Sequence, residues 1–411
     1  MSEAFRAFRS RNFCLFFAGQ SLSLLGTWMQ KTAVSWVVYA QTQSKFMLGV
    51  SVFATLFPSA VFSLLGGVVS DRYSRYRVLL ATQVLSMVQA VLLTLAVVWQ
   101  HDGVVAIIAL SAVLGIINAF DVPARQSLVY DLVDDKEDVP NAVALNSTML
   151  NLSKLLGPAV AGLAIERLGA AACFGLNAVS FVAVIGSLLA LRLPAYVAKP
   201  RTQALLAELA DGFRYVRDTP DIRFIISTLG LMALLVLPFT ALMPVYAKDI
   251  FRGTATTFGV LDGAIGLGGL GAALYLTSLP PSADLHKVMT VNTFVLGAGL
   301  LLFAYTPWYW LALAFLVGGA FGMMAQITLN VTLLQTTVLP AMRGRVISLY
   351  VLVYTTALPL GSLVVGAAAG RFGVRATVLA EGVLALLIGL LYLRHLRQMP
   401  AASGLELKMK N

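Results

Sequence analysis

Twelve apolar runs, each long enough to cross a bilayer, constrain this chain more than any other feature. About 20 apolar residues span the hydrocarbon layer as an α-helix, and a helix satisfies its own backbone hydrogen bonds there. Only 12% of the residues are charged and the mean hydropathy is +0.84, too apolar for the surface of a soluble globule. The sequence therefore predicts an all-α integral membrane protein with twelve transmembrane helices. We place them at 12–40, 46–70, 78–99, 104–125, 140–165, 170–192, 222–247, 257–279, 287–306, 308–335, 345–369 and 374–394.

The basic residues indicate the orientation. Of the 29 Lys and Arg residues, 21 lie in the loops and tails on the side of both termini, six lie in the opposite loops, and Lys31 and Lys154 lie inside spans. Because Lys and Arg accumulate on the cytoplasmic side, both termini are predicted to be cytoplasmic. The net charge of +10 is thus explained by topology, and we expect no nucleic-acid partner. The spacing of the two cysteines and three histidines predicts no metal site and no cofactor.

The longest loop divides the chain into two halves of similar length. We predict an N-terminal six-helix half over 1–192, a cytoplasmic linker over 193–221, a C-terminal six-helix half over 222–394 and a cytoplasmic tail over 395–411. Within the linker, apolar residues recur at helical spacing, which predicts an amphipathic helix on the membrane surface. These residues are Leu205, Leu206, Leu209, Phe213 and Val216.

The loop between spans two and three reads GVVSDRYSRYR at 67–77 and resembles motif A of the major facilitator superfamily. The matching positions are Gly67, Asp71, Arg72, Arg75 and Arg77. Ser74 stands where the motif usually has a second glycine. The resemblance implies a transporter with two six-helix halves, in which this loop latches the cytoplasmic face. The alternative is a charge run that only fixes topology. For Arg72 and Arg77 this alternative and the latch are equally supported.

Asp121 and Arg125 lie one helical turn apart at the cytoplasmic end of span four. An acid at this depth suits Arg75 as a partner, so Asp71, Arg75, Asp121 and Arg125 are predicted to form one gating network. The alternative is a local surface ion pair. Intramembrane charges are costly and usually serve a function, which favours the network.

Two charged residues from different halves are predicted at similar depths in the membrane. Lys154 in span five lies roughly 20 Å above the cytoplasmic end, and Asp262 in span eight roughly 10 Å below the outer end. The superfamily resemblance places these spans face to face, so we predict a Lys154–Asp262 pair that forms and breaks during alternating access. An unpaired Asp262 is also the candidate for proton coupling; the alternative is that it reaches outward to the headgroups.

Further candidates lie in spans that line the cavity in the superfamily. Lys31 suits an anionic or catecholate-like substrate, although it could equally extend to the outer headgroups. The predicted substrate-binding set is Gln20, Trp28, Gln30, Lys31, Asn118, Phe239, Met243, Met323, Gln326 and Asn330. Ordinary helix packing is the alternative for these residues. Glu381 in span twelve is expected to face a packed interior and to bond a hydroxyl such as that of Thr377, with no assigned role.

A second resemblance covers most of the chain. The segments AFDVPARQS at 119–127, LVDDKEDVPNAVALNS at 132–147 and NLSKLLGPAVAGL at 151–163 are similar to the enterobactin exporter branch of the superfamily. The N-terminal FRSRNFCLFFAGQSLSLLGTWMQ and the later LPAMRGRVISLY fit the same branch. Gly157, Pro158 and Gly162 resemble the antiporter motif of span five, although close helix packing would also use them.

The resemblance implies a proton-coupled exporter of an amphipathic small molecule, siderophore-like, in the bacterial inner membrane. A multidrug or lipid-like exporter is the alternative within this class, and a non-transporting membrane sensor or assembly partner is the alternative outside it. No nucleophile and base combine into an enzyme site. The expected partners are the substrate, protons and the lipid bilayer, and we expect a monomer.

Overall fold

The computed structural model describes residues 3–99, 103–193 and 205–398. Over these residues the secondary structure is helical, without strands. A short 3₁₀ segment, Glu3–Arg9, leads into the N-terminal half. The helices of this half are α1 (Arg11–Thr42), α2 (Lys45–Arg72), α3 (Arg75–Val98), α4 (Gly103–Leu128), α5 (Val139–Leu168) and α6 (Ala170–Leu189).

The C-terminal half repeats this arrangement after a surface helix. That helix is α7 (Leu205–Asp218). The remaining helices are α8 (Pro220–Leu235), α9 (Met243–Val245), α10 (Ala255–Thr277), α11 (Leu285–Tyr305), α12 (Tyr309–Thr337), α13 (Pro340–Phe372) and α14 (Val374–Gln398). Their bounds agree with the predicted spans to within a few residues, and the predicted twelve-helix fold in two halves is confirmed.

Eleven of the described segments are apolar enough to span a membrane by composition alone. The remaining span, α1, is 32 residues long but carries Gln20, Gln30 and Lys31 in its interior. These polar residues lower its hydropathy. A helix that faces other helices and a water-accessible space, and not lipid, can carry such residues.

The first span of the C-terminal half is broken. Helix α8 ends at Leu235, and the following residue, Val236, has backbone torsions of −124° and −51°. A 3₁₀ segment (Leu237–Leu242), α9 and a π-helical turn (Tyr246–Ile250) complete the crossing. Pro238 and Pro244 lack the amide hydrogens that a regular α-helix needs, which explains the irregular winding. Single π turns are often found at functional sites.

The connections define two faces. The linker face carries the N-terminal segment, the 73–74 turn and α7; the distal face carries the turns at 43–44, 251–254 and 306–308. Trp99, Trp308 and Trp310 are exposed at the distal face. Exposed tryptophans of this kind mark a membrane–water interface.

The two halves pack tightly near the distal face. A Cβ atom at Gly162 of α5 would lie only 2.7 Å from the carbonyl oxygen of Ala255 in α10. Gly259 of α10 is even closer to its neighbour, since a Cβ atom there would lie 2.3 Å from the carbonyl oxygen of Pro158. Helices α2 and α13 approach in the same manner where Gly366 meets the backbone of Lys45. Small residues permit these close backbone contacts.

The halves separate toward the linker face. A Cβ atom at Gly67 of α2 or Gly344 of α13 would meet no described atom within 4 Å. Ser147 and Thr148, on the linker-side part of α5, are exposed and bond only within their own helix. Between described side chains, every hydrogen bond joining the halves lies at Asp262 or nearer the distal face. The conformation is therefore closed at the distal face and open toward the linker face.

Helix α7 is tied to the C-terminal half. Asp211 forms an ion pair with Arg345 at the start of α13, with 3.3 Å between Oδ2 and Nη1. The Leu339 amide donates a hydrogen bond to the hydroxyl of Tyr215 at 3.5 Å. Phe213 is exposed and Val216 is buried. The side chains of Leu205, Leu206 and Leu209 lie outside the described part of the chain.

Candidate transport site

The centre of the site joins α1 to α10, where the cavity ends. The hydroxyl of Thr32 donates to the carboxylate of Asp262, with 3.2 Å between Oγ1 and Oδ2. Lys31, which precedes Thr32, is the basic group that interacts electrostatically with Asp262. The Lys31 side chain is exposed although protein surrounds it at this depth. It therefore faces a water-accessible space inside the bundle, and not the lipid.

An indole ring lies between two lysines beside this centre. The Nζ atom of Lys31 lies 4.4 Å, and that of Lys154 5.7 Å, from the centroid of the Trp28 ring. Cations within about 6 Å of an indole face are attracted to it. Gly157 makes room for the ring, because a Cβ atom there would lie 2.5 Å from the Cβ of Trp28. Trp28, Lys31, Lys154 and Asp262 thus form one cluster, called here the central cluster.

The predicted Lys154–Asp262 ion pair is not formed in this conformation, and because it was predicted to form and break during alternating access, it stays a prediction. Among the described side chains, Asp262 bonds Thr32, and Lys154 makes no ion pair but lies over Trp28. The depths of Lys154 and Asp262 were correctly matched, since Leu155 packs against Gly266 of α10. Depth along a helix follows from residue counting, whereas the direction of each side chain depends on the rotation of both helices.

A second set of contacts closes the distal face above the central cluster. The hydroxyls of Thr254 and Thr256 donate to Oε2 of Glu166, the former at 2.8 Å. The hydroxyl of Tyr39 donates to Asp249 of the π turn. We call these bonds the distal gate. Sequence reasoning missed them, although glycines at spans five and eight indicated close packing there.

Below the gate, Trp36 of α1 stacks on Phe258 of α10. The ring centroids lie 6.1 Å apart and the rings are inclined by 15°. This stack joins the two halves between the distal gate and the central cluster. It seals the cavity from the distal side with apolar surface.

The charges near the linker face form two separate groups. Asp121 is buried, pairs with Arg125 at 3.2 Å, and accepts hydrogen bonds from Thr82 at 2.9 Å and Gln83 at 2.6 Å. The predicted Asp121–Arg75 contact is wrong. Helix α4 continues past Pro123 into a 3₁₀ turn at Val129–Asp131, which carries another acid to the surface.

That acid is Asp131, whose Oδ2 lies 3.2 Å from Nη1 of Arg75. Nη1 of Arg75 also approaches the carbonyl of Ser127, at 3.4 Å. Arg72 and Arg77 are exposed and make no ion pair with a described side chain. The side chain of Asp71 lies outside the described part, so the predicted latch at this residue stays a prediction.

Several predicted substrate contacts are buried in this conformation and do not line an open space. Gln30 donates to Gln89 at 3.0 Å and accepts from Asn177 at 2.8 Å, forming a polar core inside the N-terminal half. Three members of the predicted set are not buried: Trp28 and Asn118 are partly exposed, and Lys31 is exposed. The other buried members are Gln20, Phe239, Met243, Met323, Gln326 and Asn330.

Glu381 is buried on α14, as predicted, but its expected partner is wrong. The Thr377 hydroxyl donates to the carbonyl of Gly373 at 2.9 Å. Both carboxyl oxygens of Glu381 are buried and have no hydrogen-bond partner among the described atoms.

The sequence matches the transmembrane secretion effector family over residues 2–411. The chain belongs to this family of the major facilitator superfamily. The transporter is 27% identical to the staphyloferrin A transporter of Staphylococcus aureus, covering 92% of this chain and 94% of the relative. It is 30% identical to the multidrug efflux pump Tap of Mycolicibacterium fortuitum, covering 90% and 93%. It is also 29% identical to the enterobactin exporter EntS of Escherichia coli K12, and the match covers 96% of this chain and 94% of EntS.

Solved structures agree with the fold of this transporter. A bacterial homologue of the iron transporter ferroportin, in an inward-facing state, superposes with a TM-score of 0.72 at 17% identity, covering 93% of this chain and 98% of the other. The nucleoside transporter NupG superposes with a TM-score of 0.72 at 13% identity, covering 95% of this chain and 100% of NupG. Family and fold together make the protein a membrane transporter that exports small molecules.

Proposed function

We propose that this transporter exports an amphipathic, siderophore-like small molecule in exchange for protons. The observation that carries the proposal is the central cluster, which combines an aromatic face, two ammonium groups and one carboxylate at the closed end of the cavity. An aromatic or hydroxycarboxylate ligand can stack on Trp28 and place anionic oxygens near Lys31 and Lys154. Relatives named for staphyloferrin A and enterobactin support this class.

Proton exchange requires that substrate and proton exclude each other. Hydroxyl groups of the substrate would donate to the ionised carboxylate of Asp262, and a proton bound there removes the negative charge and turns one of the two acceptor oxygens into a donor. Thr32 already donates to Asp262 across the two halves, so occupancy of this carboxylate affects the interface that moves. Asp262 is therefore our proposed coupling residue.

We further propose that the linker face is cytoplasmic and that the membrane is the bacterial inner membrane. The 21 basic residues in the linker-face loops and tails support this orientation through the positive-inside rule. The described conformation would then accept substrate from the cytoplasm and be closed to the outside. The relatives cited above are bacterial.

Export of cationic drugs is the second candidate. The Asp262 carboxylate favours it, because a cation would compete with a proton directly. The relation to a multidrug efflux pump points the same way. In this case Lys31 and Lys154 would repel the substrate, which separates the two candidates.

The test uses purified protein in liposomes containing an internal pH dye, with catecholate and hydroxycarboxylate siderophores and cationic drugs added in turn. For siderophore exchange we expect substrate-dependent proton movement, and about a tenfold higher half-maximal concentration in Lys31→Gln or Lys154→Gln, which corresponds to about 1.4 kcal/mol. Lys287→Gln, an exposed linker-face lysine, is the control. Drug-driven proton movement that these two variants enhance would favour the second candidate. No proton movement with any substrate would refute exchange.

A further inference from the structure

The C-terminal half contains a buried acid that the central cluster does not use. Glu381 retains 2% of its accessible surface, and neither carboxyl oxygen has a hydrogen-bond partner among the described atoms. An ionised carboxylate in such a place would lose its hydration and gain no counter-charge contact. A neutral carboxylic acid suits this environment better than an ionised carboxylate.

The groups around Glu381 are few. Tyr246 of the π turn lies near Glu381, Arg375 and Tyr305, and its hydroxyl donates to the carbonyl of Ala304 at 3.2 Å. Arg375 lies 5.9 Å from the Tyr305 ring centroid and makes no ion pair with a described residue. The 3₁₀ segment Leu237–Leu242, which also packs on α14, contains no titratable residue.

At the linker end of α14, the nearby titratable groups are distant along the helix from Glu381. Tyr392 shares a hydrogen bond with Thr228 at 2.7 Å, and His395 lies 3.2 Å from Asp221. From α11, His286 interacts with His395 and Asp221. From α13, Tyr350 interacts with Tyr392 and with Tyr354 of its own helix. These groups lie roughly 15 Å or more from Glu381, at 1.5 Å per helical residue.

The π turn connects Glu381 to the distal gate. Its first residue, Tyr246, lies beside Glu381, and its fourth, Asp249, accepts the hydrogen bond from Tyr39 of the other half. Lys248, between them, lies 6.0 Å from the Tyr39 ring centroid. Opening the distal gate breaks the Tyr39–Asp249 bond and frees the turn whose first residue interacts electrostatically with Glu381.

Buried polar groups also lie farther along α14, toward the linker face. Glu381, Ala385, Ile388 and Tyr392 share one buried face of α14. Tyr392 lies beside Gln326 of α12, whose polar side-chain atoms are buried and lack a well-aligned partner among the described groups. Buried polar groups of this kind usually bind ordered water.

We propose that Glu381 is a second proton-binding residue, loaded from the distal side when the gate opens and separate from the substrate-binding central cluster. The proposal deepens the proposed proton exchange and rests on it for the direction of proton flow. The conformation that binds the proton more tightly is favoured as pH falls. Acid therefore favours the distal-closed state, and alkali favours the distal-open state.

Two measurements without substrate test the site. Infrared difference spectra of the protein in bilayers should show a protonated carboxylic acid band that is absent in Glu381→Gln and retained in Asp262→Asn. Spin labels at Gln43→Cys and Arg371→Cys, exposed on the two halves at the distal face, report gate opening once both native cysteines are replaced by alanine. We expect the wild-type distance to lengthen as pH rises, and Glu381→Gln to remain short at every pH.

The proposal is overturned if the carboxylic acid band persists in Glu381→Gln, or if this variant keeps the wild-type pH response. Tyr246→Phe, which preserves the acid, should keep the band and is the second variant should Glu381→Gln be unstable. If pH-dependent opening is lost in Glu381→Gln while no substrate moves protons in wild type, the Glu381 site stands and the proposed exchange fails. The converse result, substrate-driven proton movement with an unaltered Glu381→Gln, removes only the Glu381 site.

Discussion

Across the interface between the two halves, the Thr32 hydroxyl donates a hydrogen bond to the carboxylate of Asp262, with 3.2 Å between the two oxygens. Lys31 lies beside this bond and faces the open cavity. A single carboxylate thus joins the moving interface to the space where a substrate would bind. Its loss should separate substrate binding from proton movement.

Asp262→Asn should abolish substrate-driven proton movement in liposomes, while substrate still binds but more weakly than to the wild type. The amide still accepts the Thr32 hydrogen bond but takes up no proton. Binding is measured by substrate-induced quenching of tryptophan fluorescence, and proton movement by the internal dye. Asp284→Asn, at an exposed helix start on the linker face, is the control and should behave as wild type. Undiminished proton movement in Asp262→Asn would contradict the assignment.

Gly157→Ala should damage the central cluster through its packing. The added Cβ would lie 2.5 Å from the Cβ of Trp28, so the indole must shift from between the two lysines. Overpacking of this kind costs about 1–3 kcal/mol of stability. Thermal unfolding and transport should both decline. Gly318→Ala, at a helical glycine with open space around its Cβ position, should leave both unchanged; equal losses in the two variants would argue against a specific Trp28 contact.

Tyr39→Phe should weaken the distal gate. It removes the hydroxyl that donates to Asp249, and hydrogen bonds to charged groups contribute about 1.5–3 kcal/mol. The population of distal-open molecules should therefore rise by about tenfold or more, at 1.4 kcal/mol per tenfold. The Gln43–Arg371 label pair measures this shift. Tyr130→Phe, exposed on the linker face, is the matched control, and an unchanged distance distribution in Tyr39→Phe would exclude the bond from the gate.

Substitution of the two linker-face acids should affect the stability of the protein very differently. Asp121→Asn leaves the Arg125 charge partly buried without its partner, which costs about 3–5 kcal/mol. Asp131→Asn removes a half-exposed pair with Arg75, worth about 0–1 kcal/mol. Thermal unfolding in detergent compares them directly. Similar midpoints for the two variants would mean that Asp121 is more hydrated than its burial indicates.

The helices were predictable because each one depends on its own residues. In lipid, a span must satisfy its backbone internally and be apolar along its length, so α3 and α12 could be placed to within a few residues. The amphipathic spacing of Leu205 to Val216 likewise predicted α7. Depth in the membrane also follows from counting, which is why Lys154 and Asp262 were matched in height.

The sequence by itself determined the twelve spans, their division into two halves, their depth and the charged residues inside them. Tertiary structure alone decided the partners: Asp262 bonds Thr32 and not Lys154, and Arg75 pairs with Asp131 and not Asp121. It also decided which end of the cavity is closed. Partner choice depends on the rotation of each helix about its axis and on the tilt of one half against the other. Those quantities are set by packing between distant segments, such as Gly162 against Ala255, and no local pattern encodes them.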